Sequence, residues 1–391
     1  MFDVVWPITL LVAWLLGELG LRWLSLPRIS SYALVGILIT FGIAFGRNFF
    51  PLEDIWALSL IPQIAFGLIL FELGYRINFT WLRNNRWLGV TSIAEASLTF
   101  VAVFLLGKLF ALGNLPASLL AALATATSPM TIVPVIDELR SAGQVTERTL
   151  HLSALNCIFA IVSFTCLVGF WMLRSAGDPL QAFWDSLAVL AVSAGLGVLF
   201  GVLVPWLLHI TCATDRAASV AFALGIASLA VLTHALYFSS ILATLIFGMT
   251  ARHRRSCHRH PQPSFGVLGD LLLIVLFVHI GTRFAAASLL PGLGLGLAVL
   301  AARWATKGAC TLAFSRLSGL SLKKGLLTGL ALTPMASFAI LLLDLAARRG
   351  LAFPETMAAM TGILLLVDIA SPAITRLILK RAGECPPDKG T

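Results

Sequence analysis

Four charged residues stand where the surrounding sequence offers no water. Glu95, Arg303, Lys307 and Asp368 each lie inside a long apolar run of this 391-residue chain. Thr127-Ser128-Pro129 puts hydroxyls and a proline into the middle of another run, and Asn156-Cys157 puts an amide and a thiol into a third. Carboxylate, amide and hydroxyl oxygens are the ligands that hard cations prefer, and a lysine held among them is a charge that can carry a proton. No nucleophile stands beside a base, so bond-making chemistry has no machinery here. The six cysteines show neither a disulfide framework nor zinc spacing. The segment Arg252-His-Arg-Arg-Ser-Cys-His-Arg-His260 holds histidines, but arginine repulsion and the lack of a carboxylate read as a solvated basic loop. The expected chemistry is binding and moving ions, with no enzyme activity, no cofactor and no metal centre.

The elements that must position these residues are membrane spans. Hydrophobic residues make up 59% of the chain and charged ones 12%, against roughly 25% charged in soluble domains. The pattern predicts an all-α polytopic protein with about 13 transmembrane helices, each needing about 20 apolar residues. They fall near 3–21, 30–46, 55–75, 87–112, 116–138, 149–173, 181–208, 216–233, 238–251, 265–282, 289–315, 322–346 and 354–380. The break between the eighth and ninth, at His234 and Tyr237, is the weakest. With the N-terminus outside, about 19 of the 27 basic residues fall in cytoplasmic turns and the tail. The formal charge of +9 therefore belongs to loops at a membrane surface, and no nucleic-acid partner is expected. The first apolar run reads as a retained span. Residues 1–381 form a single transmembrane domain in this reading, and 382–391 a short cytoplasmic tail.

Two of the spans are interrupted. Ala124-Thr-Ala-Thr-Ser-Pro-Met-Thr-Ile-Val-Pro134 carries Pro129 and Pro134, and the twelfth span carries Thr333-Pro334-Met335. Proline removes a backbone donor and clashes with the preceding turn, so Pro129, Pro134 and Pro334 are expected to be helix breaks. Broken backbone at membrane depth survives only inside protein or along a polar cavity. The two spans are seven apart, so they cross the bilayer in opposite senses. Such a pair is the mark of an inverted-repeat transporter with two crossed discontinuous helices. Lys307 and Arg303 lie four apart on one helix face. Lys307 can serve either as a charge facing an ion or as half of a structural pair with Glu95 or Asp368.

Further stretches carry a resemblance. The chain opens with Gly17-Glu-Leu-Gly-Leu-Arg22, Leu26-Pro27 and Tyr32-Ala-Leu-Val-Gly-Ile37. Its third span ends Leu68-Ile-Leu-Phe-Glu-Leu-Gly74, Thr127-Ser128-Pro129 is followed by Asp137-Glu138-Leu139, and the last span holds Ser371-Pro372. In order and spacing these resemble the monovalent cation:proton antiporters of the second class, which include sodium/proton exchangers and potassium-efflux proteins. The resemblance covers essentially the whole chain. It implies a sodium/proton antiporter fold working by alternating access in a bacterial inner membrane, as a homodimer among lipid. A core around 87–173 and 289–380 would move against a scaffold of the first spans and 181–233.

By the same resemblance Thr127, Ser128, Asn156 and Cys157 would line the ion site, and Lys307 would be the coupling charge. The family carries Asp-Asp or Asn-Asp where this chain has Asn156-Cys157. The missing carboxylate implies altered coupling, because a thiol is a poor sodium ligand. Glu95 or Asp368 is then the candidate replacement acid. The expected substrates are a monovalent cation and a proton, with an anion also open. The alternative is a transport-inactive relative that acts as a membrane sensor or assembly partner.

Overall fold

The computed structural model describes residues 2–24, 31–32, 34–36, 38, 56–77, 83–174, 179–211, 215–236, 238–254, 265–282, 289–335, 339, 342–343, 351, 367 and 370–386. Asp368, most of the expected spans at 30–46 and 354–380, and the basic loop from Arg255 onward lie outside them. Among the described residues the regular elements are helices: α1 (Phe2–Leu24), α2 (Trp56–Arg76), α3 (Arg86–Leu109), α4 (Asn114–Thr125), α5 (Pro129–Leu139), α6 (Gln144–Arg174), α7 (Pro179–Ile210), α8 (Asp215–Ala235), α9 (Ser240–His253), α10 (Gly266–Thr282), α11 (Leu289–Ala313) and α12 (Leu322–Ala331). A further helical segment covers 370–381.

The helices are built inside out relative to a water-soluble bundle. On α3 the buried stripe is Thr91, Ser92, Glu95, Ala96 and Thr99, while Val90, Ile93, Leu98, Val101 and Leu105 point outward. Polar residues on the protein side and aliphatic residues on the outer side are what hydrocarbon surroundings select. Arg86–Leu109, Gln144–Trp171 and Leu187–Ile210 are each long and apolar enough to cross a bilayer. The weak break after α8 is real: Phe238 and Ser239 separate it from α9, and the Ser239 hydroxyl caps the new helix by accepting from the Leu242 amide at 3.3 Å.

Two groups of helices result, joined by one large core that holds Leu70 and Leu245 together with Leu120 and Phe164. One surrounds α9, which packs on α2 and α7, with α8 and α10 also against α2. Backbones approach closely there, because a Cβ at Gly74 would strike the Leu245 carbonyl and one at Gly248 would strike that of Phe71. Phe71, Tyr75, Phe222, Phe247 and Phe265 fill its centre. The other body gathers α3, α4, α6, α11 and α12. At its middle α4 is buried along almost its whole length, from Leu115 to Thr125. A helix of alanine and leucine without charge has no face that needs water, which is why it can sit there.

Candidate functional site

The apolar run 116–138 is two helices. α4 has 12 residues and α5 has 11, each about half the roughly 30 Å of a hydrocarbon core at 1.5 Å per residue. Between them Ala126 (φ −61°, ψ 144°) and Ser128 (φ −72°, ψ 108°) are extended, and Pro129 opens α5. Proline suits a first helical position, where its missing N–H is one of the unpaired ones. Pro134 corrects an expectation. It lies inside α5, which continues to Leu139, so the interruption belongs to Ala126–Ser128 alone. In the twelfth span α12 stops at Ala331, and Thr333, Pro334 and Met335 are non-helical. The two interruptions touch: the Ser128 amide donates to the Pro334 carbonyl at 3.1 Å.

Both α4 and α12 end here with carbonyls that have no partner within their helix. Arg303, fully buried on α11, takes them. Its Nη1 donates to the carbonyls of Ala124 and, at 2.9 Å, Ala126. Its Nη2 reaches those of Leu332 (3.3 Å), Thr333 (3.4 Å) and Pro334 (3.2 Å). A permanent cation between two helix C-termini is electrostatically favourable as well. Trp304 adds a bond from Nε1 to Thr333 Oγ1 at 3.1 Å.

One turn along α11, Lys307 completes the centre. Its Nζ lies 2.7 Å from Glu95 Oε2 and 3.1 Å from the Thr125 carbonyl. The other oxygen of Glu95 accepts from Asn156 Nδ2 on α6, which also donates to Thr127 Oγ1 at 3.2 Å. Ser92 donates to Asn156 Oδ1 at 3.4 Å, and Thr131 to Ser128 Oγ at 3.2 Å. The Thr99 and Thr306 hydroxyls, 2.8 Å apart, fasten α3 to α11 beside the pair. Glu95, Thr127, Ser128, Asn156 and Lys307 are all buried. Two charges removed from water persist only when paired and hydrogen-bonded, as here.

The expected site residues therefore divide. Thr127, Ser128, Asn156, Lys307 and Glu95 converge on the crossing. Cys157 is adjacent, but its thiol donates to the Thr127 carbonyl at 3.3 Å, so it spends its hydrogen on the break and offers no oxygen. Asp368 lies outside the described residues. Arg303 was legible only as a charge beside Lys307; its five carbonyl partners come from segments distant in sequence. Ser92 had no sequence signal beyond its place one turn before Glu95. Chemically the arrangement holds an ammonium against a carboxylate and a helix-end carbonyl, with the Thr127 hydroxyl linked to that carboxylate through the Asn156 amide; oxygens of these kinds are the ligands that small hard cations prefer.

A helical membrane bundle with two interrupted helices crossing around buried charges is the architecture of an ion exchanger, and residues 8–381 match the transmembrane sodium/hydrogen exchanger family model. The chain belongs to that family, whose members are integral membrane transporters and not enzymes. Among solved structures it is similar to the sodium proton antiporter MjNhaP1 from Methanocaldococcus jannaschii at pH 8, with 19% identity and a TM-score of 0.69 over 96% of this chain and 95% of that one. An electron-microscopy structure of the same antiporter gives 20% identity and a TM-score of 0.71, covering 99% of this chain and all of the other. At that identity the likeness speaks for the fold. No curated protein matches the chain.

Proposed function

We propose that this exchanger couples a monovalent cation to a proton through the Glu95–Lys307 pair. The observation that carries the reading is the 2.7 Å contact between Lys307 Nζ and a Glu95 carboxylate that also meets Asn156, beside the backbone of the first interruption. A cation arriving at Glu95 must displace the ammonium and inherits the Thr125 carbonyl as a further oxygen ligand; a turn of the Asn156 amide, whose Nδ2 now faces Glu95 and Thr127, would add its Oδ1 and free the Thr127 hydroxyl oxygen. Lys307, losing its counter-ion, gives up a proton; when the cation leaves, the proton returns and the pair re-forms. Charge at the site is conserved in each half of the cycle, so the buried centre is never left with an uncompensated carboxylate. Glu95 thus takes over the duty of the acid that Cys157 replaces, which is the altered coupling expected from Asn156-Cys157. Asp368 remains a second candidate acid.

Alternating access would move the body of α3, α4, α6, α11 and α12, with α5, against that of α2 and α7 to α10. The division at 87–173 and 289–380 against the first spans and 181–233 is part of this proposal. So are the homodimer among lipid, the bacterial inner membrane, the outside N-terminus and the cytoplasmic tail. The test is proton flux in proteoliposomes, driven by a pH gradient and scanned over lithium, sodium, potassium and chloride. Cation-dependent flux abolished by Glu95→Gln supports the reading; undiminished flux in that variant overturns it.

One observation favours a second reading, a transport-inactive sensor or assembly partner. The Cys157 thiol is committed to the Thr127 carbonyl and supplies no acid. In that case the wild type carries no flux, and Cys157→Asp gains it.

A further inference from the structure

A second buried carboxylate sits at the other end of α6, in the segment 382–386 that follows the helix 370–381. Glu384 has a side chain only 4% exposed. Its Oε1 accepts from the Val145 amide at 2.8 Å, and its Oε2 from the Thr146 amide at 2.8 Å and the Thr146 hydroxyl at 2.9 Å. Its backbone carbonyl accepts from the Ala142 amide at 3.0 Å. The carboxylate thus caps the first turn of α6 from 238 residues away in sequence, where helix amides carry partial positive charge. Room for it exists because residue 143 is glycine; a Cβ there would strike the Glu384 carboxyl group.

Glu384 also reaches α12. Lys324, in the first turn of that helix, places Nζ 3.7 Å from Glu384 Oε1 and 3.5 Å from Gln144 Oε1. Arg148 of α6 donates in parallel to the Ser318 carbonyl just before α12. These contacts join the starts of two helices whose far parts form the ion site. α6 carries Asn156 and Cys157 about 18 Å further on, at 1.5 Å per residue. α12 runs into Thr333 and Pro334, which face Arg303 and Ser128. Helices are stiff at this length, so a change of angle at their starts is carried to the crossing. There Glu95, Thr127, Ser128, Asn156 and Cys157 are all sealed from solvent.

We infer that Glu384 is a positioning residue for the ion site: it fastens the starts of α6 and α12 together and thereby holds the crossing in its occluded form. The inference rests on reading that crossing as the ion site, but its test does not need transport. Cys157 is the reporter. In the full-length protein in lipid nanodiscs, N-ethylmaleimide labelling of Cys157, Cys166 and Cys310 is followed by peptide mass spectrometry. Glu384→Ala removes three charge-assisted bonds and is expected to speed labelling of Cys157 by about tenfold or more, while Cys166 and Cys310 are unchanged.

Gly143→Ala expels the same carboxylate without altering it and is expected to give the same increase. Glu384→Gln keeps an acceptor oxygen and falls between that and the wild type. A Cys157 rate unchanged in Glu384→Ala and Gly143→Ala overturns the inference. So does a rise shared by all three cysteines, which would be general loosening. Absence of cation-dependent flux in the wild type, with Cys157 responding as stated in the variants, would refute the transport reading and leave the fastening intact.

Discussion

Replacing Lys307 by methionine keeps most of the side-chain volume and removes the charge. Glu95 then loses the 2.7 Å ammonium contact and is left as a buried carboxylate held, among the described residues, by Asn156. Breaking one side of a buried ion pair costs about 3–5 kcal/mol, because the remaining charge has no water to return to. Glu95→Gln leaves the lysine in the same position. The double variant Glu95→Gln/Lys307→Met buries no unpaired charge, and its loss should be smaller than either single one. The pair therefore gives a coupling energy of at least about 2 kcal/mol in a double-mutant cycle. The assay is thermal unfolding of purified protein in detergent, where a loss near 3 kcal/mol lowers Tm by several degrees.

The same variant tests whether Glu95 is open to a cation. In Lys307→Met a bound monovalent cation restores the missing counter-charge, so salt should stabilise it more than the wild type. At a hundredfold excess over Kd the gain is about 2.7 kcal/mol. In the wild type the cation must first displace the lysine, which reduces the gain. Additive losses in the cycle, or equal salt responses of Lys307→Met and wild type, would refute the reasoning.

Arg303→Lys should destabilise nearly as much as Arg303→Ala, on the order of 3 kcal/mol, because an ammonium with three donors cannot span carbonyls on both interruptions; Tm and yield of folded protein report it. Cys157→Asp removes the thiol bond to the Thr127 carbonyl and adds an acid beside Lys307, so cation-dependent proton flux should rise; an unchanged rate would show that this position does not face the site. Gly248→Leu drives a side chain into the Phe71 backbone and should lower stability by at least about 1–3 kcal/mol. Because Gly248 lies on α9, away from the crossing, the folded fraction of that variant should keep its cation selectivity in the liposome assay.

Some of this was legible in the chain and some could not be. The interruption at Thr127-Ser128-Pro129 was readable because proline and hydroxyls in an apolar run have few other uses. Pro134 misled, because a single lost amide inside α5 is tolerable within a packed bundle and does not end the helix. Lys307 stood out as an expensive charge, but its choice of Glu95 is a tertiary fact. Arg303 was visible as a charge in an apolar run, but its role, like that of Glu384, could not be read because most of their partners are main-chain atoms. Arg303 meets the Ala124 carbonyl across 179 residues and Glu384 meets the Thr146 amide across 238. No residue type at the receiving end signals a backbone acceptor or donor. Asp368 was equally visible as a sequence candidate, and its place relative to the site lies outside the described residues.

The guanidinium between the two interrupted helices has a further consequence. A carrier whose halves were bridged only by its cargo would lose its keystone whenever it unloaded. Here the bridge is covalently part of the chain, so the crossing keeps its shape whatever occupies Glu95 and Lys307, and the exchange proposed at that pair runs inside a fixed frame.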